Sequence, residues 1–135
     1  MEKKGIILIV DDNKNNQEMY RICLEPENYK IYFADNGDQG LKLTRQVKPD
    51  LILSDIMMPI MDGYQMIEKL KTDPDVQDIP IFVLTTVINI VDVVKAFQLG
   101  ASDVLKKPFH VAEFVARVNA MVKHKKAQDA YKTSY

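Results

Sequence analysis

Three short apolar runs that lack any polar alternation constrain this chain most. They cover residues 5–10 (Gly-Ile-Ile-Leu-Ile-Val), 51–53 (Leu-Ile-Leu) and 81–84 (Ile-Phe-Val-Leu). A strand with one wet face alternates apolar and polar residues, so a run that does not alternate is covered on both faces. Each run also stops abruptly on polar residues: Asp11-Asp12-Asn13, Ser54-Asp55 and Thr85-Thr86. Two weaker strand signals, residues 29–34 and 102–106, complete a set of five.

Helical segments separate these runs. The Asx cluster at residues 11–16 offers N-cap oxygens for a first helix starting at Asn15 or Asn16, with Met19, Ile22, Cys23 and Leu24 facing inward until Pro26 and Asn28 close it. The turn Asp35-Asn36-Gly37-Asp38 opens a second helix, carried by Leu41, Leu43, Thr44 and Val47. Met66, Ile67 and Leu70 mark a third, broken at Asp73-Pro74-Asp75. A fourth covers residues 91–99 with Gly100 just past its end. The fifth runs from Val111 to about Lys123. Strictly alternating strands and helices imply an α/β architecture, a doubly wound five-stranded parallel sheet with helices on both faces. One domain is expected over residues 1–123. Residues 124–135 lose the apolar period and read as a helix extension or a linker.

Bulk properties exclude several classes. The 135 residues carry a net charge of −1, which provides no general electrostatic reason to bind nucleic acid or an anionic membrane. The single Cys23 has no internal disulfide partner and reads as a buried or half-buried thiol. The apolar run after Gly5 is too short for a signal segment or a membrane span, so the expected location is cytoplasmic.

In a parallel sheet all strand C-termini point the same way. The topology therefore gathers Asp11, Asp12, Asp55, Thr85 and Lys107 along one edge, where open α/β sheets bind ligands. Crowded carboxylates repel: two unit charges about 4 Å apart cost roughly 4 kcal/mol at an effective dielectric of 20. Either one acid stays protonated or a divalent cation binds, and an all-oxygen set without His or Cys favours a hard ion such as Mg²⁺. A carboxylate beside such an ion is equipped to attack phosphorus, with Thr85 and Lys107 on the phosphoryl oxygens. Asp55 is the candidate acceptor. Taken singly, each of these residues has an ordinary structural use; the convergence of four strand ends is what carries the reading.

Those residues, together with Ser54-Asp55, Met58-Pro59, Met61-Asp62-Gly63, Pro80 through Thr85, Gly100-Ala101 and Lys107-Pro108-Phe109, resemble the receiver domain of two-component response regulators, a flavodoxin-like fold. The resemblance covers residues 5–123. It implies phosphoryl transfer to Asp55 from a phosphohistidine on a sensor histidine kinase or phosphotransfer protein. It further implies Mg²⁺ ligation by Asp12, Asp55 and the backbone carbonyl of Met57, with Asp11 acting through water, and a cis peptide between Lys107 and Pro108. On this resemblance the chain is a phosphoprotein that assists its own phosphorylation and dephosphorylation rather than an enzyme. Its output runs through protein contacts of the fourth helix, fifth strand and fifth helix, with a downstream protein, an output domain or, on phosphorylation, a second copy of the chain as candidate partners. The apolar Val91, Val93, Val94, Phe97, Val111, Phe114 and Val115 of that region are expected to be mostly core.

Four positions depart from the family pattern. Val104 stands where an aromatic is usual, so no ring is available there to swing inward on activation. Thr86 is bulkier than the usual small residue. Met57 and Val87 flank the access route to Asp55, and neither side chain can orient water, which predicts slow loss of the phosphoryl group. Rival readings fit less well. A haloacid-dehalogenase-like phosphatase carries a second acid two residues after its nucleophile, where this chain has Met57. A nucleotide binder of similar fold would need a phosphate loop after the first strand, not Asp11-Asp12. An excised receiver of a hybrid kinase or a multidomain regulator fits as well as a free-standing regulator.

Overall fold

The computed structural model describes residues 2–86 and 89–133. Elements alternate along the chain: β1 (Ile6–Val10), α1 (Lys14–Leu24), β2 (Lys30–Ala34), α2 (Gly37–Val47), β3 (Leu51–Ser54), α3 (Gly63–Lys71), β4 (Ile81–Thr85), α4 (Ile90–Leu99), β5 (Asp103–Lys106) and α5 (Val111–Thr133), with a short 3-10 turn at Glu25–Glu27. The five strands form one parallel sheet in the order β2-β1-β3-β4-β5. The unalternated runs are the interior strands: β3 and β4 are buried throughout, and β1 is buried from Ile7 onward.

Alternate residues of each strand feed two apolar layers. Leu8, Val10, Ile52, Ile81 and Val83 pack with Leu41 of α2, Met66, Ile67 and Leu70 of α3, and Ala96 of α4. Ile7, Ile9, Leu51, Leu53, Phe82 and Leu84 pack with Tyr20 and Leu24 of α1 and Phe114, Val118 and Val122 of α5. Side-chain caps start four of the helices. Asn13, Asn36 and Asn89 each accept from a first-turn backbone N–H, and Asp62 forms a reciprocal capping box with Gln65. Gly100 closes α4 with φ 122°, a conformation open to glycine and costly elsewhere.

Two expectations about packing do not hold. Helix α1 begins at Lys14, and its buried face is Gln17, Tyr20 and Leu24, whereas Met19 and Ile22 are exposed. Neighbouring positions on a helix differ by about 100°, so the apolar residues beside the true face point to solvent. Of the apolar residues expected to be core in α4 and α5, only Phe114 is fully buried. Val91, Val94, Phe97 and Val111 are exposed, and Val93 and Val115 are half-buried. Ala96 is the one buried residue of α4, a small side chain through which the helix approaches its layer. Helix α5 continues past Lys123 to Thr133, and Lys132 pairs with Asp78 while Lys126 lies 3.9 Å from Asp50. Among the described residues no helix is long and apolar enough to cross a membrane.

Candidate functional site

The chain leaves β1 toward one side of the sheet, through β2, and later crosses to the other, so β1 and β3 flank the point where strand order reverses. Their parallel register pairs Val10 with Ser54. The next residue of each strand is therefore an acid, and Asp11 and Asp55 stand side by side just beyond the last ladder bonds. Backbone bonds anchor both: Asp11 N–H donates to the Ala34 carbonyl at 3.0 Å, and Asp55 N–H to the Val10 carbonyl at 3.1 Å. One carboxylate oxygen from each of Asp11, Asp12 and Asp55 lies within 4.8 Å of the other two. Asp11 is buried, Asp55 partly buried and Asp12 exposed.

Across the site, β4 and β5 pair Thr85 with Lys106. Lys107 N–H donates to the Thr85 carbonyl at 2.8 Å, and the following Lys107–Pro108 bond is cis. The Lys107 ammonium sits 3.6 Å from Asp11 Oδ2 and over the Tyr20 ring, 5.4 Å from its centroid. Thr85 is buried at the strand end. Met57 follows Asp55 on a loop with its side chain exposed. Thr86 is exposed beside Lys107, and Val104 is half-buried against the α4 layer. Val87 lies outside the described residues.

Electrostatics favour a cation here. Burial, first of all, raises the Asp55 carboxyl above the ordinary aspartate range. Lys107 and the Ile56 N–H pull it down, Asp11 pushes it further up, and the Met57 N–H pulls it down again. The Ile56 N–H donates to Asp55 Oδ1 at 2.7 Å. One lysine faces three carboxylates, and all the side-chain donors are oxygen. Such a set suits a hard divalent cation.

Residues that the sequence reading passed over hold the acids in place. Gln17 Nε2 donates to the Asp11 carbonyl at 2.7 Å and to Asp35 Oδ1 at 2.9 Å, tying β1 to the β2–α2 turn. The Asn13 N–H donates to Asp11 Oδ1 at 2.9 Å, and Asn16 Nδ2 lies 3.3 Å from Asp11 Oδ2. The available signal was the spacing Gln17-Tyr20-Leu24, a buried helical face that opens on an amide. Behind Asp55, the loop folds back so closely that a Cβ on Gly63 would stand 2.3 Å from the Asp55 carbonyl oxygen. Gly63 N–H bonds the Ile56 carbonyl at 2.7 Å.

Comparison with known proteins agrees with this arrangement. The family model for the response regulator receiver domain matches residues 7–119. The chain is 39% identical over 117 residues to the DNA-binding dual master transcriptional regulator RpaA of Synechocystis sp., covering 87% of this chain and 48% of RpaA. It is also 39% identical over 130 residues to hybrid signal transduction histidine kinase D of Dictyostelium discoideum, covering 95% of this chain and 8% of that protein. Apart from such long hybrid kinases, the chain spans about half the length of these curated relatives. Among solved structures, the signal receiver domain of a signal transduction histidine kinase from Syntrophus aciditrophicus superposes with a TM-score of 0.83 at 34% identity, covering 89% of this chain and 91% of that one. The acids beyond β1 and β3, the threonine closing β4 and the lysine after β5 thus stand in a chain that belongs to the response regulator receiver domain family.

Proposed function

We propose that Asp55 is the phosphoacceptor of a two-component signalling receiver. The observation that carries this reading is a partly buried carboxylate held within 4.8 Å of two others, with the Lys107 ammonium 3.6 Å from one of them, Asp11. Asp12, Asp55 and the backbone carbonyl of Met57 would hold Mg²⁺ directly, and Asp11 through water. When bound, the ion offsets the carboxylate charge and holds a phosphoryl oxygen. An Asp55 oxygen attacks phosphorus as the N–P bond of a phosphohistidine on a histidine kinase or phosphotransfer protein breaks. The bonding pair leaves with the imidazole nitrogen, which takes a proton from solvent. The Thr85 hydroxyl donates to one phosphoryl oxygen and the Lys107 ammonium pairs with another.

The phosphodonor docks over α1 and the loop after β5, where Met19, Ile22 and Val111 are exposed. The output surface is the exposed stripe Ile90, Val91, Val94 and Phe97 on α4. A downstream protein, an output domain or a second copy of the chain reads it, and the setting is the cytoplasm. Without a ring at position 104, the rearrangement after phosphorylation runs through Thr85 and α4.

Incubation with acetyl phosphate and Mg²⁺ followed by intact mass tests the chemistry. The wild type gains the mass of one phosphoryl group and Asp55→Asn gains none. A wild type that stays unmodified, or an Asp55→Asn protein that is still modified, rejects the assignment.

A further inference from the structure

Four aromatic rings connect the site to the α5 side of the core. Tyr20 stacks on Phe109 at 6.4 Å between centroids and lies 5.8 Å from Phe114, which in turn stacks on Phe109 at 4.9 Å and on Phe82 at 6.1 Å. Three of the four are phenylalanines; Tyr20 alone carries an oxygen. That oxygen is buried and has no hydrogen-bond partner among the described residues. A buried hydroxyl without a partner is destabilising, and phenylalanine would fill the same space without it. The hydroxyl therefore needs a use in some other state of the site.

Its surroundings indicate which state. The Tyr20 ring lies beneath the Lys107 ammonium, and that ammonium is 3.6 Å from Asp11 Oδ2. Burial, then the charges of Asp11 and Asp55, raise the phenol pKa. The hydroxyl bonds neither carboxylate. Resting on the reading of Asp55 as phosphoacceptor, a phosphoryl group there draws Lys107 toward its oxygens and away from Asp11. The buried Asp11 carboxylate then exchanges its lysine partner for the Asn13 N–H and the Asn16 amide alone, with the metal ion one water away, and a buried carboxylate oxygen that loses a charged partner gains from a new hydrogen-bond donor.

We propose that Tyr20 is a positioning residue of the phosphoryl site, its ring seating the Lys107 ammonium and its hydroxyl donating to the Asp11 carboxylate once Lys107 turns to the phosphoryl group. The phenol thereby holds Asp11 in place while the lysine is engaged elsewhere. The Tyr20 ring packs with Phe109 and Phe114 on the face of the sheet opposite Val104, so this positioning role is separate from the rearrangement through Thr85 and α4.

Near-ultraviolet difference absorption reads a tyrosine hydroxyl directly, and beryllium fluoride with Mg²⁺ serves as the phosphoryl mimic. The wild type shows a tyrosine difference band on adding the mimic, and Tyr20→Phe lacks it. With acetyl phosphate and Mg²⁺, Tyr20→Phe is modified about tenfold more slowly, while its melting temperature equals or exceeds that of the wild type. Tyr20→Leu, which also removes the ring, is slower still. A Tyr20→Phe protein modified at the wild-type rate, or one that keeps the whole band, overturns the proposal. A wild type that gains no mass from acetyl phosphate instead removes the phosphoacceptor reading, and the proposal with it.

Discussion

At Asp55 the protein keeps a carboxyl whose pKa burial has raised. Between its unfolded and folded pKa the native state binds more protons than the unfolded state, so this group's contribution to stability falls as pH rises through that window. In Mg²⁺-free buffer, Asp55→Asn accordingly melts a few degrees higher than wild type at neutral pH. The advantage shrinks as pH drops below the folded pKa. Paired melts across pH check this, and an advantage that grows toward acid contradicts it. A second residue under strain is Ile60, β-branched at φ 69° with its side chain 83% exposed. The left-handed conformation costs about 1–2 kcal/mol, glycine's extra backbone entropy returns about 0.5–1 kcal/mol of that, and no apolar burial is lost. Ile60→Gly is therefore expected to stabilise the fold by about 0.5 kcal/mol, measurable by denaturant titration. The acids, Thr85 and Lys107 were legible because each sits where an apolar run stops. The inward turn of Gln17 and Tyr20 was not read, since their spacing with Leu24 competes with the more apolar set Met19, Ile22 and Cys23 on the neighbouring face.

Elements show the same contrast. Helix α4 is apolar at seven of its ten positions, in the order Ile-Val-Asp-Val-Val-Lys-Ala-Phe-Gln-Leu, and such a segment has too little polar contrast to declare its buried face. In the fold it docks through Ala96 and leaves Val91 and Phe97 in water. Val91→Ser and Phe97→Ser should each change stability by no more than about 0.5 kcal/mol, whereas Phe114→Ala costs about 3–5 kcal/mol. Thermal or denaturant unfolding distinguishes the two classes. The loop joining β3 to α3 is limited instead by backbone contact. A Cβ at position 63 would meet the Asp55 carbonyl oxygen at 2.3 Å and Ile56 Cα at 2.9 Å, neither of which yields cheaply. Gly63→Ala is expected to destabilise by about 3 kcal/mol and, on the proposed function, to slow modification of Asp55, because the loop that displaces carries Asp55. Unchanged stability would show that the loop has room the structure does not contain.

For the whole molecule, cation binding and folding are linked. Three acids drawn from the ends of two strands come together only in the folded sheet, so a cation that they hold stabilises the native state alone. At a Mg²⁺ concentration about 100 times the dissociation constant, the gain is about 2.7 kcal/mol. The melting temperature should climb with Mg²⁺, return to baseline on chelation, and respond far less in Asp12→Ala. A wild type indifferent to Mg²⁺ would exclude the acids as its ligands.

What the amino-acid order determined by itself was the architecture and the edge at which chemistry collects. Residues buried on both faces must be continuously apolar, and parallel strands must all present their C-terminal residues on one side. Tertiary structure alone decided which face of α1 turns inward, that α4 keeps most of its apolar side chains in water, and that a buried phenol sits under Lys107 with no hydrogen-bond partner among the described residues. These depend on a rotation of about 100° per residue and on which neighbouring element arrives to cover a surface. Neither quantity is written in the local pattern of a helix that lacks contrast between its faces.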